Sequence, residues 1–227
     1  KLGARDPEGP LGRWLWGRWQ RRPPDAARYA RRRTVLSFLY MLAFAVVLSL
    51  LGYDLVMAMD PHWYSTLFGA YSFVKAIYVG FGGLIVLAAL LQLSRRPGYA
   101  LAASHFHDIG KLFFAFGLVW ADFFYAQFVV IWYGNIPEET GYLVKRVGIH
   151  SPYALVSKLI FIMIWMTPFV VLLSRKNKTR AHVTSALALI VLTGITMMFW
   201  LMLAPVVPVS IPLLVIGALA WGFFSGM

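Results

Sequence analysis

The sequence predicts an all-α, polytopic transmembrane helical bundle of about six helices, and three observations carry that prediction. The chain is 60% hydrophobic and only 13% charged, where a water-soluble domain carries roughly a quarter charged residues. Its apolar runs reach the roughly 20 residues that an α-helix needs to cross a hydrocarbon core. Its basic residues give a formal net charge of +12, yet they sit in the tail and in the loops between apolar runs. That placement fits topology signals and anionic lipid headgroups, and it leaves no nucleic-acid role beside a membrane body. With no cysteine in the chain, disulfides, thiolate-held iron–sulfur clusters and covalently attached c-type haem are excluded.

The chain divides into a basic segment, 1–33, and a transmembrane domain, 34–227. In the basic segment Trp14, Trp16 and Trp19 alternate with Arg13 and Arg18 before Pro23 and Pro24 break any helix. This is an interfacial anchor on the cytoplasmic face or a docking arm for a partner subunit. No secretory signal is legible, and the first residue is Lys rather than Met, which points to a processed, truncated or partly represented chain.

Six apolar runs follow, at approximately 34–59, 66–94, 108–133, 151–174, 181–204 and 208–226. Loops rich in Lys and Arg alternate with loops poor in them. Arg31, Arg32 and Arg33, then Arg95 and Arg96, then Arg175, Lys176, Lys178 and Arg180 mark one side. On the other side, 60–65 and 205–207 carry none, while Glu138 and Glu139 offset Lys145 and Arg146. By the positive-inside rule both termini are expected in the cytoplasm. Loop 134–150 is long enough to fold over the outer surface, where Glu138, Glu139 and the nearby His62 are candidate contacts for a partner. The link between Pro205 and Pro208 is so short that the last two runs form an antiparallel hairpin. The chain has no Gly-rich nucleotide loop, no Ser-His-Asp arrangement and no HExxH motif.

Charges inside the apolar runs are the candidate functional residues, because an ionisable group at that depth is costly and commonly functional. At about 1.5 Å per residue, Asp122 lies roughly 16 Å from the outer end of the third run and Lys75 roughly 14 Å from that side. Asp54 and Lys158 are both shallower, about 8–10 Å. Two acid–base couples at matching depths are therefore expected, Lys75 with Asp122 and Asp54 with Lys158. On the third run, positions 108, 111, 115, 118, 122, 125 and 129 share one helical face. Asp108, Lys111, Asp122 and Tyr125 thus make a broken polar stripe, expected to face the bundle, with Thr167, Thr193 and Thr196 as contributors from other helices. The stripe serves a proton path, or its ion pairs only fix helix register.

The histidines offer a further choice. His62 and His150 lie toward the outer face, and His105, His107 and His182 toward the inner face. A b-type haem held by two facing histidines is one reading; hydrated helix-end residues are the other. His107 beside Asp108 is suited to collecting protons at the cytoplasmic mouth, since histidine titrates near neutral pH. Trp63, Tyr64, Trp132 and Tyr133 form an aromatic belt, and some of them could line a quinone headgroup.

Three segments in this order, YDLVMAMDPHWYSTLFGAYSF (53–73), HDIGKLFFAF (107–116) and QFVVIWYGNIPEET (127–140), resemble the ActF-type subunits of alternative complex III. These are NrfD-like, polysulfide-reductase-type membrane subunits of a bacterial quinol:electron-acceptor oxidoreductase. The resemblance is strongest over about residues 50–145; later runs agree mainly in hydropathy and in the Ser-Arg-Lys loop. Members of the family have about ten spans, so the resemblance implies that this chain corresponds to their C-terminal part. It also implies a place in the bacterial inner membrane and a subunit with no redox centre of its own. Iron–sulfur and c-haem subunits, a second NrfD-like subunit and a menaquinone or other quinone are the implied neighbours. His107, Asp108 and Lys111 would then sit at a cytoplasmic entrance, with Asp54 and His62 toward the outside. Asp122 departs from the family pattern, which more often has an aromatic residue there, so its role rests on depth alone. The resulting expectation is a proton-translocating membrane subunit, with a quinone- or haem-binding subunit and a plain scaffold as alternatives.

Overall fold

The computed structural model describes residues 26–61, 63–93 and 103–205. His62, the Trp14–Trp19 segment, the Arg95-Arg96 loop and the sixth apolar run lie outside the described residues. Those that are described are all-helical, without a strand, and five of the helices are long and apolar enough to cross a membrane. In chain order the elements are α1 (Ala26–Leu55), a 3₁₀ turn (Met57–Met59), α2 (Phe68–Leu93), α3 (Ala103–Gly134) and α4 (Pro137–Val147). Then come α5 (Ala154–Phe161), a π-helical segment (Ile162–Met166), α6 (Thr167–Leu173), α7 (Arg175–Lys178) and α8 (Ala181–Leu203). The segment from Ala154 to Leu173 acts as one span.

Helix ends follow the local chemistry. α1 starts before the apolar pattern does, because Ala27, Arg28 and Ala30 are strong helix formers. α3 stops at Gly134, and Asn135 adopts a left-handed φ of 46° while its amide donates to the Ile131 carbonyl at 3.1 Å. That is an αL cap, a conformation Asn tolerates better than most residues. Pro137 then opens α4, where a missing amide hydrogen costs nothing.

The chain separates into two units, 1–45 and 46–227. The described part of the first is a helical stretch whose apolar side chains, Leu36, Phe38 and Leu39 among them, are exposed. In the second unit α2 is central, packed against both α3 and α8. Its buried face is Phe68, Tyr71, Val74, Tyr78 and Ile85, and α8 answers with Leu187, Val191, Ile195, Met198 and Leu201. Both sets recur at three- and four-residue intervals, as one face of a helix requires. The outside is apolar too, with Leu87, Val130, Leu155, Val170 and Leu189 exposed. An apolar shell over an apolar core is what a bilayer solvates and water does not.

The π segment has an identifiable cause. An α-helix would give the Ile164 carbonyl the amide hydrogen of residue 168, but Pro168 has none. Tyr78, fully buried on α2, donates its hydroxyl to that carbonyl at 2.9 Å. A neighbouring helix thereby satisfies the backbone group that proline frees, as a membrane interior demands. Two glycines allow the approach. A Cβ on Gly194 would meet Ile164 Cγ1 at 2.8 Å, and one on Gly117 would meet the Tyr78 hydroxyl at 3.1 Å. Beside this contact, Gly117, Trp165 and Phe169 help to line a cavity of about 10 Å³, room for no more than a single water.

Tyr78→Phe should therefore lower stability in detergent by about 1 kcal/mol, the scale of interhelical polar contacts. In a Pro168→Ala background the same change should cost less, because an amide at 168 can serve the carbonyl. Thermal unfolding of the four variants checks this; equal losses in both backgrounds would show that the hydroxyl is not replacing the proline's missing donor.

Candidate functional site

The most connected group of charged side chains lies at the bundle end where α1 and α3 finish. After α1 the 3₁₀ turn delivers Asp60, whose amide donates to the Met57 carbonyl at 3.2 Å. Facing it is Arg146, in the last turn of α4. Asp60 is 8% exposed and Arg146 4%. Their charges approach to 3.6 Å between Nη2 and Oδ2, an ion pair too long to be a hydrogen bond. The guanidinium's hydrogen bonds go elsewhere. Nη2 donates to the Met202 carbonyl at 2.8 Å and Nη1 to the Tyr142 carbonyl at 3.1 Å. Met202 O belongs to the last turn of α8, where carbonyls lack a partner within the helix.

Aromatic rings extend this group. The guanidinium sits 3.7 Å from the Tyr142 ring centroid, and Tyr142 stacks on Trp63 at 4.2 Å and 9°. Trp63 then meets Phe68 edge-on at 5.0 Å. Burial pushes the Tyr142 hydroxyl up to about 12, with Arg146 opposing and Asp60 adding to the rise. Glu139, Tyr142, Leu143 and Arg146 follow the i, i+3, i+4, i+7 spacing of one helical face, so α4 lies with that face inward. Glu138 is exposed, as expected for a surface residue, whereas Glu139 is buried. The expectation that both acids present themselves to a partner is thus corrected for Glu139.

Deeper in the bundle, Lys75 is 5% exposed. Its ammonium lies 4.1 Å from the ring centroid of Phe199 on α8, 5.3 Å from that of Tyr71 and 5.9 Å from that of Phe68. Cation–π attraction is what these rings offer it. The expected pairing with Asp122 does not occur: among the described residues no ion pair joins them, and Asp122 is exposed. The reason is the orientation of α3. Its buried positions are Phe106, Gly110, Phe113, Gly117, Trp120 and Ile131. Filling the interface with aromatic bulk outweighs turning one carboxylate inward, so the opposite stripe, carrying Asp108, Lys111, Leu118, Asp122 and Tyr125, is exposed. The stripe is real and its inward orientation is corrected.

Asp54 and Lys158 are likewise exposed and form no ion pair with each other among the described residues. Each sits on a helix face that packing leaves outside. Thr193 and Thr196 turn their hydroxyls onto their own helix, to the carbonyls of Leu189 and Leu192.

The His107 cluster does assemble. Asp108 Oδ1 lies 3.1 Å from Lys111 Nζ and 3.7 Å from His107 Nδ1. All three belong to the first turns of α3, and Asp108 and Lys111 are largely exposed. Pairs this open contribute little to stability. Among the described residues no group of three or more His, Asp or Glu gathers as a metal site would require.

Compared with known proteins, the chain matches no family model and no curated protein.

Sequence reasoning missed Arg146, which it counted only as a loop charge, and Asp60, which it quoted only within the 53–73 segment. The usable signal was the amphipathic spacing of 139, 142, 143 and 146. It also missed Tyr78, for which Pro168 in the fourth apolar run was the clue.

Arg146→Met leaves a buried carboxylate without its partner and should cost roughly 3–5 kcal/mol. Adding Asp60→Asn should recover part of that loss in thermal unfolding, and a strictly additive double variant would show that the two charges do not couple. Alkaline titration gives a second check. A folded-state pKa above the unfolded value means stability is complete below about pH 10 and lost as pH rises toward about 12. Tyr142→Phe should flatten that part of the stability–pH curve, read from melting temperatures.

Proposed function

We propose that this chain is an integral membrane subunit of a quinol:electron-acceptor oxidoreductase of the alternative complex III kind. It helps to hold the complex together and handles protons, while iron–sulfur and c-haem partner subunits carry the electrons. The membrane is the bacterial inner membrane, with both termini in the cytoplasm, by the loop-charge alternation given above. A second NrfD-like subunit and a menaquinone or other quinone are its neighbours in this reading. The three motif segments support the family, and five helices of membrane-spanning length support the setting.

Lys75 is the observation that carries the proton-handling part. Its ammonium is buried about 10 Å in from the start of α2, against three aromatic rings, with no carboxylate in ion-pair range among the described residues. A proton held there can come and go without the breaking of an ion pair. Asp60 and Arg146 mark the outer end of the bundle and His107 with Asp108 the cytoplasmic end. Asp54, Asp122, Tyr125 and Lys158, on the exposed faces, join such a path only where another subunit covers them.

A scaffold role is the second reading, favoured by the Asp60–Arg146 pair, which ties the turn after α1 to α4 and the end of α8. One experiment separates the two. Lys75→Met and Lys75→Arg are introduced into the intact complex, which is reconstituted in vesicles with quinol and acceptor. The proton-handling reading expects fewer protons moved per electron with Met and partial retention with Arg. An assembled Lys75→Met complex with an unchanged ratio assigns the chain to scaffolding.

A further inference from the structure

We infer that the exposed stripe of α3 centred on Asp122 is the seat of a transmembrane helix that lies outside residues 1–227, which brings a Lys, Arg or His to the level of Asp122.

The argument begins with position. Asp122 lies twelve residues before Gly134 in a 32-residue helix, so about 18 Å from that end. Both neighbouring turns are apolar, and Leu118 and Tyr125 are exposed beside it, Tyr125 at 65%. In a bilayer this places a carboxylate at hydrocarbon depth on the outside of the bundle. Such residues are rare, and they pair or line a wet cavity. Asp cannot escape by reaching for the headgroups as Lys and Arg do, because its side chain is one carbon long beyond Cβ.

Among the described residues no cation pairs with Asp122. Residues 34–55 and 208–226 contain no Lys, Arg or His. Lys75 is enclosed between Phe199, Tyr71 and Phe68, and Lys111 is engaged with Asp108 three turns away. Lys158 and His182 are the remaining basic residues of the apolar runs, and His182 stands in the first turn of α8, at the end of its span. α3 and the span from Ala154 to Leu173 run antiparallel, with Phe124 beside Phe161 and Phe114 beside Phe169. On that register the backbone at Lys158 stands about 7 Å from the level of Asp122. A second copy inserted in the same direction would thus present its lysine off level. Charge complementarity selects a helix outside this sequence with a basic residue at mid-span. Ala115 and Leu118 are exposed on the same face as Asp122, and Tyr125, exposed one turn beyond, offers a second polar contact. This inference rests on the membrane setting and not on the quinol:acceptor reading.

The test uses the intact membrane assembly. A photo-reactive amino acid replaces Leu118 or Tyr125, with Val170, exposed on a different helix, as the control position. The expected result is an adduct from 118 and 125, absent from 170, whose partner peptide is an apolar helix with Lys, Arg or His within one turn of the cross-link. Asp122→Asn should lower the adduct yield about tenfold, the upper range for an interhelical polar contact. Asp122→Lys should abolish it, and a carboxylate in place of the partner's basic residue should restore it. Adducts of two copies of this chain, adducts with lipid alone, or a partner helix without a basic residue would each overturn the inference. A basic partner helix from an assembly without electron-transfer subunits would sink the quinol:acceptor reading and leave the docking inference standing.

Discussion

Aromatic bulk fills the faces on which α2, α3 and α8 meet. Phe68, Tyr71 and Tyr78 on α2, with Phe113 and Trp120 on α3, fill the space between these helices and α8. In a medium where lipid tails are as apolar as side chains, close packing rather than exclusion from water holds helices together. Each buried ring therefore counts through its contacts, and the glycines at 117 and 194 let those contacts close. Once the rings face inward the charges of α3 have nowhere to go but out. Lys75, on α2, faces inward and is accommodated by rings rather than by a carboxylate.

This explains which parts of the fold were legible in the sequence. The spans were, because a run of about 20 apolar residues has few other uses; α2, α5 with α6, and α8 begin and end within a few residues of the apolar runs. The stripe on α3 was legible as a stripe, since periodicity places 108, 111, 115, 118, 122 and 125 on one face. Periodicity does not say which of two opposed faces is inside. The rule that membrane charges face the bundle pointed one way, and Phe106, Phe113 and Trp120 at the same spacing pointed the other. The rule speaks of a complete assembly, whereas the rings pack within one chain.

The site divides in the same way. His107, Asp108 and Lys111 are close in sequence, so their proximity follows from helix geometry alone. Asp60 and Arg146 are far apart in sequence; Arg146 looked like an ordinary loop charge, and Asp60 stood out only as part of a motif segment. Only the inward spacing of α4 hinted that Arg146 is buried, and nothing in the sequence named Met202 O as its acceptor. Tyr78 and Ile164 were hidden for a related reason. A proline announces that a carbonyl has lost its donor, but not which helix will supply another.

Arg146 also has a meaning in time. Its ion-pair partner, Asp60, emerges early from the ribosome, its own helix later, and the Met202 carbonyl last among the described elements. A chain halted before α8 holds a buried guanidinium whose strongest hydrogen bond has no acceptor, and burying such a group is costly. This corner of the bundle can therefore close only once α8 has been made. A cation held open until that helix arrives gives the nascent protein a built-in mark of an unfinished corner.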